Sequence, residues 1–101
     1  MDIPELVKAT KARFNHNVNK TYLKDKYESK FIVANQGGLW KATPELQGYL
    51  ASRNDETVIL VDLYDNPLMV NRVELYDALR GAYEDNMAAW YLEWKELEKN
   101  R

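Results

Sequence analysis

The stretch 71–97, NRVELYDALRGAYEDNMAAWYLEWKEL, decides how this chain of 101 residues is organised. Val73, Tyr76, Arg80, Tyr83, Met87, Trp90, Trp94 and Leu97 recur in alternating steps of three and four, the period of one face of an α-helix. Only Arg80 breaks the apolar series. Asn71 is suited to cap the helix, and Glu74 stands where a capping box needs its acid. At 1.5 Å per residue the helix reaches about 40 Å. A small sheet covers only its first half. The outer half, around Trp90, Trp94 and Leu97, has to pack on another helix or on another molecule.

The flanks of this seam say what suits it. Asp77, Glu84, Glu93 and Glu98 lie beside it, together with Leu79, Asn86 and Tyr91. A parallel self-zipper would bring Glu93 towards Glu98 of a second copy, and like charges there oppose pairing. A basic partner is favoured, and the first helix is the nearest one. An antiparallel homodimer that sets acidic flanks against basic helices remains open. Any aromatic surface left uncovered would be a potent docking site, because aromatics carry much of the energy of protein interfaces. The candidate partner-binding residues are therefore Trp90, Tyr91, Trp94 and Leu97, with Arg80.

The N-terminal segment predicts a helix to about Tyr27. Asp2 can cap it, Pro4 fits its first turn, and Glu5 completes a capping box. Ile3, Leu6, Val7, Phe14, Val18 and Tyr22 fall on one side. Between the two helices, KFIVA at 30–34 and Leu39-Trp40-Lys41 read as a hairpin around Asn35-Gln36-Gly37-Gly38. Thr43-Pro44-Glu45 starts a short helix ending near Ser52. TVILVDL at 57–63 is apolar on both faces, which predicts a central strand. Tyr64-Asp65-Asn66-Pro67 is turn chemistry, and Leu68-Met69-Val70 is its partner strand. The expected fold class is α+β in one domain, residues 1–101. A small antiparallel sheet of three or four short strands lies against a long N-terminal helix, a short middle helix and a long C-terminal amphipathic helix.

Composition narrows the function. The hydrophobic fraction of 46% suits a globular domain, and the absence of cysteine removes disulfides, thiolate nucleophiles and cysteine-bound metals. That fits an intracellular protein or a virion component. No run approaches a membrane span, and MDIPELVKA lacks the layout of a signal peptide. The net charge of −2 conceals an asymmetry. Residues 1–30 carry seven Lys/Arg against four Asp/Glu, and residues 31–101 carry seven against twelve.

Chemistry finds little support. His16, between Asn15 and Asn17, is the single histidine and is expected to face solvent. Asp62 and Asp65 flank a turn and make at best a weak cation site. The lone glycine pair at 37–38 precedes a strand, not a phosphate-binding helix. The acids of the terminal helix read as a solvated face. No enzyme, metal or small-molecule cofactor is expected. Arg13, Asn17, Lys20 and Lys24, spaced by three and four, form a polar-basic stripe able to follow a phosphate backbone. Nucleic-acid binding through that stripe is the alternative to a protein partner or a homo-oligomer.

The run FIVANQGGLWKATPELQGYL, followed by ETVILVDLYDNPLMVNRVELYDAL, resembles small accessory proteins of T-even-type tailed bacteriophages, including those of cyanobacteria. The resemblance spans roughly residues 3–97. It rests on Gly37-Gly38-Leu39-Trp40, Thr43-Pro44-Glu45-Leu46 and Asp65-Asn66-Pro67. It implies a minor virion component, an assembly factor or an early protein that binds a host target, working in the host cytoplasm or in the virion. It carries over no catalytic residue.

Overall fold

A computed structural model describes the backbone of residues 3–99 and the side chains of residues 16–99. The Asp2 cap and the side chains of Ile3, Leu6, Val7, Phe14 and the candidate Arg13 lie outside what is described. The elements run α1 (Ile3–Glu28), a 3₁₀ turn (Ser29–Phe31), β1 (Ile32–Asn35), β2 (Gly38–Lys41), α2 (Pro44–Ser52), β3 (Thr57–Val61), β4 (Pro67–Asn71) and α3 (Arg72–Lys99). The class is α+β, as the patterning predicts.

Local chemistry sets the boundaries. Gln36 and Gly37 both take positive φ, +52° and +81°, which gives the β1–β2 hairpin its two-residue turn in register Asn35↔Gly38. Thr43 Oγ1 accepts from the Leu46 N–H at 3.1 Å, and Pro44 stands in the first turn of α2. The side chain of Asn71 accepts from the Glu74 N–H at 2.9 Å and starts α3. Asp65, at φ +64°, turns the β3–β4 loop.

The four strands form two separate antiparallel pairs, β1–β2 and β3–β4, where the sequence suggests one sheet. Side chains and one backbone bond do the joining. Asp62 Oδ2 accepts from the Leu39 N–H at 3.2 Å, and the Leu63 N–H donates to the Leu39 carbonyl at 2.9 Å. At the other end the Gln36 amide behaves like a strand. Its Oε1 accepts from the Asn71 N–H at 2.7 Å, and its Nε2 donates to the Asn71 carbonyl at 3.2 Å. The expected central strand, β3, is therefore covered on one face only. Val58 is buried, whereas Ile59 and Val61 are 65% and 61% exposed.

The core lies where the hairpins and α2 meet the first half of α3. Trp40, Leu50, Val70, Leu75 and Leu79 are sealed within it, and the indole N–H of Trp40 donates to the Asn35 carbonyl at 2.9 Å. Gly38 is required at its place, since a Cβ there would stand 2.7 Å from the Trp40 ring and 2.8 Å from Leu68. Arg72 ties α2 to α3 by donating to the Leu50 carbonyl at 2.9 Å and the Asp55 carbonyl at 2.6 Å.

The face of α3 that meets this core differs from the expected seam. Leu75 and Leu79 are fully buried, whereas Val73 and Arg80 point outward. Only the row Tyr76, Tyr83, Trp90 and Leu97 packs inward. The two hairpins and α2 present their apolar faces to Leu75 and Leu79, and that tertiary demand rotates the helix away from the strict three-four seam. Beyond Tyr83, α3 leaves the head and runs antiparallel to α1 as a two-helix stalk. The radius of gyration is 19.5 Å and the extents are 66 × 24 × 18 Å. A compact domain of this length has a radius of about 13 Å.

Candidate functional site

The stalk holds together by a narrow strip. Leu23, Tyr27 and Phe31 are buried, and Trp90 lies parallel to Tyr27 with centroids 6.1 Å apart and 6.4 Å from Phe31. Lys26 Nζ donates to Glu93 Oε1 at 2.7 Å. That bond raises the Lys26 pKa and lowers that of Glu93, while burial is the main cause that raises the Tyr27 phenol. Asn86 Nδ2 donates to the Lys30 carbonyl at 2.8 Å. His16 is a correction to the solvent-facing expectation. It is 9% exposed, with Nε2 3.1 Å from Glu98 Oε1, because the end of α3 folds over it.

Two helices cannot enclose both of their own flanks. One flank forms an open groove of about 490 Å³, lined by Lys20, Thr21, Leu23, Lys24, Met87, Trp90, Tyr91 and Trp94. Its lining is largely apolar and aromatic, with Tyr91 and Trp94 stacked at 6.1 Å and 21°. Its rim is cationic. Lys20 and Lys24 come from α1, and Lys95 Nζ stands 5.5 Å from the Tyr91 ring centroid. Among the described residues no carboxylate lines it. The other flank has a recess of about 390 Å³ with Tyr22, Leu92 and Leu97 beside Glu93 and Glu96. The two sides of the stalk thus both offer apolar surface, one edged by lysines and the other by carboxylates that pair with Lys26 and Lys99.

The geometry brings together residues that the sequence suggests for two different roles. Trp90, Tyr91 and Trp94 from the aromatic helix share one groove with Lys20 and Lys24 from the basic stripe. Leu97 belongs to the recess on the other flank. Arg80 lies outside both, exposed and donating to Glu84 Oε1 at 3.0 Å, a bond that raises its pKa further. Asn17 sits in a shallow depression with Val18 and Tyr22. Met87, a seam residue not among the candidate partner-binding residues, lines the groove as well, and Leu23 and Lys95 are lining or rim residues that the pattern alone does not single out.

The head adds a second apolar surface. Ile59 and Met69 face each other across the outer side of β3–β4 at 65% and 68% exposure, with Val61 alongside. The expected weak cation site at Asp62 is structural instead. Its oxygens accept the N–H groups of Leu39, Tyr64 and Asn66. Those bonds, led by Asn66, hold the carboxyl below its ordinary pKa against the opposing effect of burial. Among the described residues no three His, Cys, Asp or Glu side chains cluster to hold a metal. No described helix is long and apolar enough to cross a membrane.

No protein-family model, curated protein or solved structure matches the chain.

Proposed function

We propose that this chain is a non-enzymatic protein-interaction domain that docks an apolar segment of a partner in the groove between α1 and α3. One observation carries the proposal: Tyr91 and Trp94 remain 55% and 39% exposed on the open side of a two-helix stalk, over a floor made by Leu23 and Trp90. Large aromatics held in place by packing beneath them lose little entropy on binding and contribute strongly when covered. The head supplies the stable base. In the phage setting that the sequence resembles, the role is that of an accessory protein that binds a virion component or a host target, in the virion or the host cytoplasm. Affinity capture from a lysate of the producing cell tests this, with wild type compared to Tyr91→Ala/Trp94→Ala. A protein retained by the first and lost by the second supports the proposal. Retention that ignores the double substitution contradicts it.

A second reading has its own observation. Lys20 and Lys24 stand beside a stacked aromatic pair, the combination that binds single-stranded nucleic acid. The cationic track is short, however, and Asp25 and Glu28 interrupt it along α1. This reading requires affinity for an oligonucleotide that falls steeply with salt. A flat low-salt gel shift eliminates it.

A further inference from the structure

We infer that the occupant of the α1–α3 groove is an amphipathic helix whose apolar stripe is flanked by Asp or Glu. The inference rests on the proposed docking role and specifies its partner. Both banks of the groove are helical ridges, Lys20 to Lys24 on one side and Met87, Tyr91 and Trp94 on the other. Helical ridges offer no free backbone donors or acceptors. A strand laid between them would bury its own unpaired N–H and C=O groups. A helix satisfies its backbone internally and adds a third member to the bundle, packing its side chains between the ridges.

Charge selects the flanks. The rim carries Lys20, Lys24 and Lys95, with no acid among the described lining residues. Lys24 has only a long 3.9 Å contact to Glu28, and Lys20 makes no ion pair within 4 Å with any described residue. A covering helix partly desolvates these ammonium groups, so carboxylates at its edges are favoured and lysines are rejected. A second copy is a poorer occupant, because two-fold pairing through this face gathers the three rim lysines of both copies at one interface. Nucleic acid is disfavoured for a different reason. The cationic track is too short to follow a phosphate backbone, because Asp25 and Glu28 interrupt it along α1.

The test is selection from a displayed library of helix-constrained 14-residue peptides, with fixed Leu and Phe at helical spacing and randomised Glu, Gln or Lys flanks. The full-length chain is the bait, and Tyr91→Ala/Trp94→Ala is the counter-bait. The inference expects Glu-flanked peptides to be enriched. It also expects the best of them to bind about tenfold more weakly to Lys20→Glu/Lys24→Glu, the sum of a few exposed ion pairs. A circular-dichroism spectrum matching wild type keeps that variant interpretable. Enrichment without charge preference, or with Lys flanks, overturns the acidic partner and leaves the docking role standing. Peptides that bind wild type and counter-bait equally overturn both. Binding of fluorescent oligo-dT in place of any peptide overturns both in favour of nucleic acid.

Discussion

Trp90 and Trp94 lie one helical turn apart on α3, and their replacement by alanine is expected to have very unequal costs. Trp90 is half-buried, parallel to Tyr27 at 6.1 Å and tilted against Phe31 at 6.4 Å. A fully buried tryptophan costs about 3–5 kcal/mol when cut to alanine, so partial burial brings the figure to about 2–3 kcal/mol, including the loss of its ring pairs. For a domain of this size that lowers Tm by roughly 10–20 °C. Trp94 is 39% exposed and stacks mainly on Tyr91, itself 55% exposed. Its removal is expected to cost under about 1 kcal/mol, in the range of surface substitutions with one lost aromatic contact. Urea unfolding followed by far-ultraviolet circular dichroism measures both. If Trp94→Ala destabilises the chain as much as Trp90→Ala, then Trp94 is covered and the open groove does not exist.

Three further outcomes concern the core, the first hairpin and two carboxylates. Leu79→Ala, at a fully buried position, is expected to cost about 2–5 kcal/mol in the same unfolding experiment. Gly38→Ala is expected to cost about 1–3 kcal/mol, because its Cβ would meet the Trp40 ring and Leu68 below 3 Å. Both Asp62 and Glu93 are held below their ordinary values of 3.8 and 4.5, so the unfolded chain binds protons that the folded chain refuses. Their contribution is intact above about pH 4.5 and is lost as pH falls through the lower folded values. Asp62→Asn is expected to be less stable at pH 7 and to show a shallower loss of Tm between pH 5 and pH 3 than wild type.

Much of the fold is legible because its signals are local. The Thr43 and Asn71 caps, the Gln36-Gly37 turn and the β-branched run at 57–61 each depend on a few adjacent residues. The face of α3 is not local. Val73 and Arg80 satisfy the helical period as well as Leu75 does, and only the placement of the hairpins and α2 decides for Leu75 and Leu79. The same holds for the strands. Nothing in TVILVDL tells that Gln36 and Asp62 will hold two hairpins together through side chains, leaving Ile59 and Val61 in water. His16 misleads because its neighbours are polar, while its cover arrives from Glu98, far along the chain.

The groove shows the same limit more sharply. Lys20 and Lys24 read as a nucleic-acid stripe, and Trp90 to Trp94 read as a protein surface, each on its own helix. Their adjacency is a consequence of the antiparallel register of α1 and α3, fixed by Tyr27 on Trp90 and Lys26 on Glu93. That register turns two separate candidates into one site with an aromatic floor and a cationic rim.

The exposure of Trp94 in the free protein tests the central claim most directly. With 5-fluorotryptophan at its three tryptophan positions, the chain gives three fluorine resonances, assigned by single Trp→Phe substitutions. The shift between H₂O and D₂O reports contact of each ring with solvent. Trp94 is expected to show the largest isotope shift and Trp40, sealed in the head, the smallest. A Trp94 resonance as insensitive to D₂O as that of Trp40 contradicts an open groove.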